Sequence, residues 1–118
     1  MAVQRLHVEK RFSEIAISGN LVHLAGQLAS DLSLDIKGQT QQTLDIIDRF
    51  LADAGTNKSH IMSVTIYLKD IENDYAAFNE LWDAWVADIE ALPRTCVEAK
   101  LYHPDVLVEM TVVAVKPE

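Results

Sequence analysis

Three side chains near the end of the chain have the types and spacing to act together on a small molecule: the guanidinium of Arg94, the thiol of Cys96 and the carboxylate of Glu109. An arginine presents a planar fork of N–H donors that matches the two oxygens of a carboxylate. A glutamate beside it takes a proton from water or returns one. As a nucleophile, Cys96 would need an activating base, and no histidine falls near it in the pattern. As a small apolar side chain it needs only burial, and that is the reading preferred here. Arg94 and Glu109 leave two readings open: a structural ion pair, or a pocket where Arg94 receives a carboxylate and Glu109 handles a water or a proton.

The elements that must position these groups follow from hydrophobic periodicity. From Thr95 to Leu101, Val97, Ala99 and Leu101 alternate with Cys96, Glu98 and Lys100, the pattern of a half-buried strand. Val106 to Val115 is dense in β-branched residues, as a central strand should be. Tyr102-His103-Pro104-Asp105 reads as a tight turn, so Pro93 to Val115 is expected to form a hairpin. An even-numbered loop would set even residues of the first strand opposite odd residues of the second. Arg94, Cys96 and Glu109 would then share one face.

Upstream, a short strand is expected around Val3 to Val8 and a second from Glu14 to Ser18. Gly19-Asn20 makes a turn, and a strand returns over Leu21 to Gln27. Gly26, inside that strand, marks either a bulge or a close approach to the backbone. A helix is expected from Gly38 to Ala54, with Leu44, Ile47, Phe50, Leu51 and Ala54 as its apolar stripe and Gly55 closing it. Met62, Val64, Ile66 and Leu68 form one face of the next strand. A second helix, capped by Asp70 to Asp74, is expected from Asp74 to Ala87, with Tyr75, Phe78, Leu81, Trp82 and Trp85 facing the core and Asn79 off the stripe. The order β-β-β-α-β-α-β-β predicts an α+β domain spanning residues 1–118, a six-stranded mixed sheet with two helices on one face. The other face, expected to hold Ser63, Thr65, Tyr67, Arg94, Cys96 and Thr111, suits contact between subunits.

Bulk properties exclude several functions. A net charge of −8 repels phosphate backbones, and no basic patch offsets it, so no nucleic-acid partner is expected. No apolar run approaches the ~20 residues of a membrane helix. The start, MAVQRLHVEKR, lacks the apolar segment of a signal peptide, and the one cysteine suits a reducing cytoplasm. His7, His23, His60 and His103 have no ligand spacing with one another or with Cys96, so no metal is expected. No glycine-rich phosphate loop or dinucleotide fingerprint is present, and no cofactor is expected.

The segment Arg94-Thr95-Cys96-Val97-Glu98-Ala99-Lys100-Leu101, followed by Val106 to Val115, resembles the C-terminal signature of the Rid (YjgF) family of reactive-intermediate deaminases. Gly19-Asn20 with Ala25-Gly26-Gln27 resembles the family's "GN…SGQ" segment. Val64 to Asp70, with Tyr75, Phe78 and Asn79, resembles its central strand and second helix. The match runs nearly the whole chain in order.

That resemblance implies a chorismate-mutase-like fold, assembled as a homotrimer with sites in clefts between subunits. It implies hydrolysis of 2-iminobutanoate and 2-iminopropanoate to 2-oxo acids and ammonia. Arg94 would grip the substrate carboxylate, the main chain at Cys96 would contact substrate or water, and Glu109 would activate the water. Gly26, Ala25, Phe12 and Asn79 would complete the binding site. Two positions depart from the family pattern: Phe12 stands where a tyrosine is usual and Ala25 where a serine is usual. There are also two fewer residues between Asn79 and Arg94. These departures raise the alternative of a non-catalytic module that binds 2-oxo acids. Some relatives are labelled endoribonucleases, and the acidic charge weighs against that activity here.

Overall fold

A computed structural model of the chain describes residues 2–117. The strands are β1 (Gln4–Val8), β2 (Ser13–Ser18), β3 (Leu21–Gln27), β4 (Ile61–Leu68), β5 (Arg94–Glu98) and β6 (Val108–Val115). The helices are α1 (Ile36–Asp53) and α2 (Ile71–Trp85). All six strands form one mixed sheet in the order β1-β2-β3-β6-β4-β5, and the two helices lie on one face of it.

Gly19 at φ 61° makes the two-residue turn between β2 and β3. Both helices begin earlier than the apolar periodicity suggests, because each has an aspartate cap. The Asp35 carboxylate accepts from the Gly38 N–H at 2.9 Å, and Asp70 accepts from the Asn73 N–H at 3.2 Å.

The core lies between the helices and one face of the sheet. Ile15, Val22, Leu24, Val64, Ile66, Leu68, Val108, Met110 and Val112 come from the strands; Leu44, Ile47, Leu51, Phe78 and Trp82 come from the helices. Burial of each such side chain is worth about 1.5–3 kcal/mol.

The expected hairpin is not formed. β5 runs parallel to β4 and β6 runs antiparallel to it, so β4 separates the two strands. Parallel neighbours need a crossover, and α2 supplies it between β4 and β5. The connection back to β6, residues 99–107, crosses the end of β4. Ala99 N–H donates to Leu68 O on one side and Lys69 N–H to Leu107 O on the other, each at 3.0 Å. Gln39, fully buried on α1, clamps that connection: its amide donates to Asp105 O at 2.9 Å and accepts from Leu107 N–H at 3.0 Å.

This topology reverses the expected faces. Cys96 and Met110 both align with Ile66, and Arg94 aligns with Val64, so Arg94 and Cys96 point toward the helices. Glu109 aligns with Tyr67 and points the other way. The open face therefore carries Thr65, Tyr67, Thr95, Val97, Glu109, Thr111 and Val113, without Arg94 or Cys96. Met62 is a second correction. An irregularity between Ile61 and Ser63 turns it outward, 56% exposed, and Ile61 takes the core position.

Candidate active site

The candidate residues fall into two separate groups. The first is built where β5 meets α2. Tyr75, Phe78, Asn79 and Trp82 recur at helical spacing and present one surface of α2. Arg94, at the start of β5, lies across it. Its guanidinium carbon is 5.2 Å from the Trp82 ring centre, 5.8 Å from Tyr75 and 6.0 Å from Phe78. Such contacts are each worth about 0.5–1 kcal/mol at partly exposed sites. Arg94 Nη2 donates to Tyr75 Oη at 3.1 Å. Nη1 is buried with no acceptor, and Asn79 Oδ1 is buried with no donor. Orphaned buried polar atoms are uncommon and call for a partner. Cys96 follows two residues later on the same face, half-buried; burial raises its thiol pKa and the Arg94 charge opposes that rise. Arg94 and Glu109 form no ion pair, so the structural-pair reading is set aside.

The second group surrounds Glu109. The pairing of β3 with β6 shifts between Leu24 and Gln27, which places a bulge at Ala25-Gly26. A Cβ on Gly26 would stand 2.0 Å from Glu109 Oε2. Gly26 lies outside the positive-φ region where Gly19 and Gly55 sit, so what it supplies is space rather than unusual backbone. Burial raises the Glu109 pKa above the ordinary carboxylate value. A cleft of about 850 Å³ opens here, lined by Phe12, Ala25, Gly26, Tyr102 and Glu109 together with Ile46 and Phe50 of α1. Gln27, buried in the wall of the cleft, donates to Glu14 Oε1 at 3.1 Å and to Ala25 O at 3.0 Å, which ties down the bulge.

Comparison with known proteins gives the family and the fold. The family described as "Endoribonuclease L-PSP" matches residues 2–116. A "RutC family protein" from Haemophilus ducreyi is 43% identical over 112 residues, 95% of each chain. The chain belongs to the Rid/YjgF family. A crystal structure of a YjgF family member from Neisseria meningitidis superposes with a TM-score of 0.95 at 37% identity, covering 100% of this chain and 98% of that one. A protein of the conserved Rid family from Yersinia pestis gives 0.84 at 28% identity, covering 92% and 90%. The fold is thus the chorismate-mutase-like α+β fold of Rid proteins.

Within this Rid fold the seven candidate residues divide cleanly. Phe12, Ala25, Gly26 and Glu109 line the cleft beside the bulge. Arg94, Cys96 and Asn79 lie between β5 and α2. Tyr75 and Trp82, read from the sequence as core residues only, prove to hold Arg94. Their spacing around Asn79 on one helix face was the available signal. Asn79 itself is half-buried, not the solvated position its place off the stripe suggested.

Proposed function

We propose that this protein hydrolyses small 2-imino acids to 2-oxo acids and ammonia, in clefts formed between copies of the chain in a homotrimer. The observation that carries the reading is the division of the site. Arg94 Nη1 and Asn79 Oδ1 are buried without partners on one side, and Glu109 lies against Gly26 on the other. A site that uses both halves needs Arg94 from one copy and Glu109 from its neighbour. β5 is one of the two edge strands of the sheet, with β1 the other, so its outer side pairs with no strand of this chain.

The chemistry follows from the groups. A 2-imino acid offers a carboxylate to Arg94 and an N–H to Asn79 Oδ1. Its C2 is already electrophilic, so positioning and a proton acceptor suffice, without a covalent intermediate. Water bonds to C2 as Glu109 takes one of its protons. Glu109 passes that proton to the nitrogen, then takes the hydroxyl proton and passes it on as well; the C–N bond breaks as the carbonyl forms, and ammonia and the 2-oxo acid leave. The backbone at Cys96 contacts the substrate, and its thiol takes no covalent part.

The test couples the purified protein to an amino-acid oxidase that generates the imine and follows imine loss. Acceleration by wild type and its loss in Arg94→Ala support the reading; equal rates for the two refute it. A second reading, a module that binds 2-oxo acids without turnover, is favoured by the missing hydroxyls at Phe12 and Ala25. Stabilisation by 2-oxo acids against heat, with no imine loss, would select it.

A further inference from the structure

We propose that Tyr75 is the positioning residue for Arg94: its hydroxyl sets the direction in which the guanidinium meets a carboxylate, and Trp82 beneath the guanidinium reports the encounter. This rests on the reading of Arg94 as a carboxylate anchor and adds what fixes the anchor. An arginine side chain is flexible, and leaving it free to roam costs binding when a ligand must order it. Here two contacts limit it. The guanidinium carbon lies 5.2 Å from the Trp82 ring centre, which seats the group on α2, and Nη2 donates to Tyr75 Oη at 3.1 Å, which sets its rotation.

Tyr75 occupies only one of the five N–H groups of the guanidinium, so the fork is not consumed by its tether. Nη1 remains buried without an acceptor, and Asn79 Oδ1, four residues along α2 from Tyr75, without a donor. The tether thus holds a donor beside the helix face that carries the orphaned acceptor. A 2-imino acid, with a carboxylate and an N–H on adjacent carbons, offers one group to each. Tyr75 is 42% exposed on α2, so replacing its hydroxyl by hydrogen leaves the core intact.

The experiment compares wild type, Tyr75→Phe and Arg94→Met by steady-state imine hydrolysis and by tryptophan emission during titration with 2-oxobutanoate. Wild type is expected to show a saturable emission change, and Arg94→Met none. In Tyr75→Phe the KM and the titration midpoint should rise together by about three- to tenfold, as for a lost hydrogen bond to a charged group at a partly exposed site. Its kcat should stay within about twofold, because ground-state and transition-state binding weaken alike. Coincident midpoints for Tyr75→Phe and wild type would overturn the proposal, as would a wild type whose emission ignores 2-oxobutanoate. If wild type binds but does not turn over imines, the deaminase reading fails, and the shift in midpoint still decides the role of Tyr75.

Discussion

Arg94 and Glu109 leave the sheet in opposite directions. Arg94 aligns with Val64 and points toward α2, whereas Glu109 aligns with Tyr67, three residues further along β4, and points to the open face. One chain therefore presents the guanidinium and the carboxylate back to back, and the proposed function needs a second copy to bring them face to face.

Under the proposed function, Arg94 should act through the shape of the guanidinium as well as its charge. Arg94→Lys keeps the cation and loses the fork and the guanidinium's contact with Trp82. KM for imine hydrolysis should rise at least about tenfold, corresponding to roughly 1.4 kcal/mol, with a smaller effect on kcat. Steady-state kinetics on the oxidase-coupled assay checks this.

Gly26 should be required by Glu109 and not by the fold. In Gly26→Ala the new methyl would meet the carboxylate at 2.0 Å, and the end of a flexible side chain can move aside. The displaced carboxylate should cost about 100-fold in kcat, as misplacement by an ångström can. The melting temperature should change little. A large loss of stability with proportionate loss of activity would instead make Gly26 a structural residue.

Glu109 should give both the activity and the stability a pH dependence. Burial raises its folded pKa above the ordinary value of 4.5. Activity should climb as the carboxylate ionises, with the acid limb of kcat/KM above that value, and Glu109→Gln should abolish the limb with the activity. For stability, a raised folded pKa means the folded state holds the proton more tightly. The contribution is fully present below the unfolded pKa and is lost as pH rises through the folded one. Glu109→Gln should therefore melt above wild type at pH 7, and the gap should close at pH 4. Thermal melts at the two pH values decide it.

Cys96 should be chemically quiet. Its thiol pKa is raised by burial, so little thiolate is present near neutrality. Alkylation at pH 7.5 should be slower than for a free thiol, and Cys96→Ala should keep imine hydrolysis within about threefold of wild type. Loss of activity of the order seen for Arg94→Ala would give the thiol a direct role.

Much of the fold is legible in the residues. Alternation in Glu14–Ser18 and Leu21–Gln27, and the apolar stripes of α1 and α2, mark strands and helices close to where they lie. Gly26 reads as a bulge or close approach, and it is both. What alternation does not carry is which strands are neighbours. Arg94–Glu98 and Val108–Val115 each look half-buried, and turn residues between them suggest a hairpin. The α2 crossover makes β5 parallel to β4 instead, which removes the parity rule that put Glu109 beside Arg94. Met62 fails for a local reason, since one irregular residue at the start of β4 exchanges its two faces. The cap of α2 is legible at Asp70 and that of α1 at Asp35 is not; apolar periodicity places both helix starts late.

Complementation between two variants expected to be inactive tests the proposed shared site most directly. Arg94→Ala and Glu109→Gln proteins should each lack imine hydrolysis. When they are unfolded together and refolded as mixed assemblies, an equal mixture should recover about one quarter of wild-type activity, the fraction of boundaries in a closed ring that pair an intact Arg94 with an intact Glu109. Mixed assemblies that stay as inactive as their parents would contradict a site built from two copies.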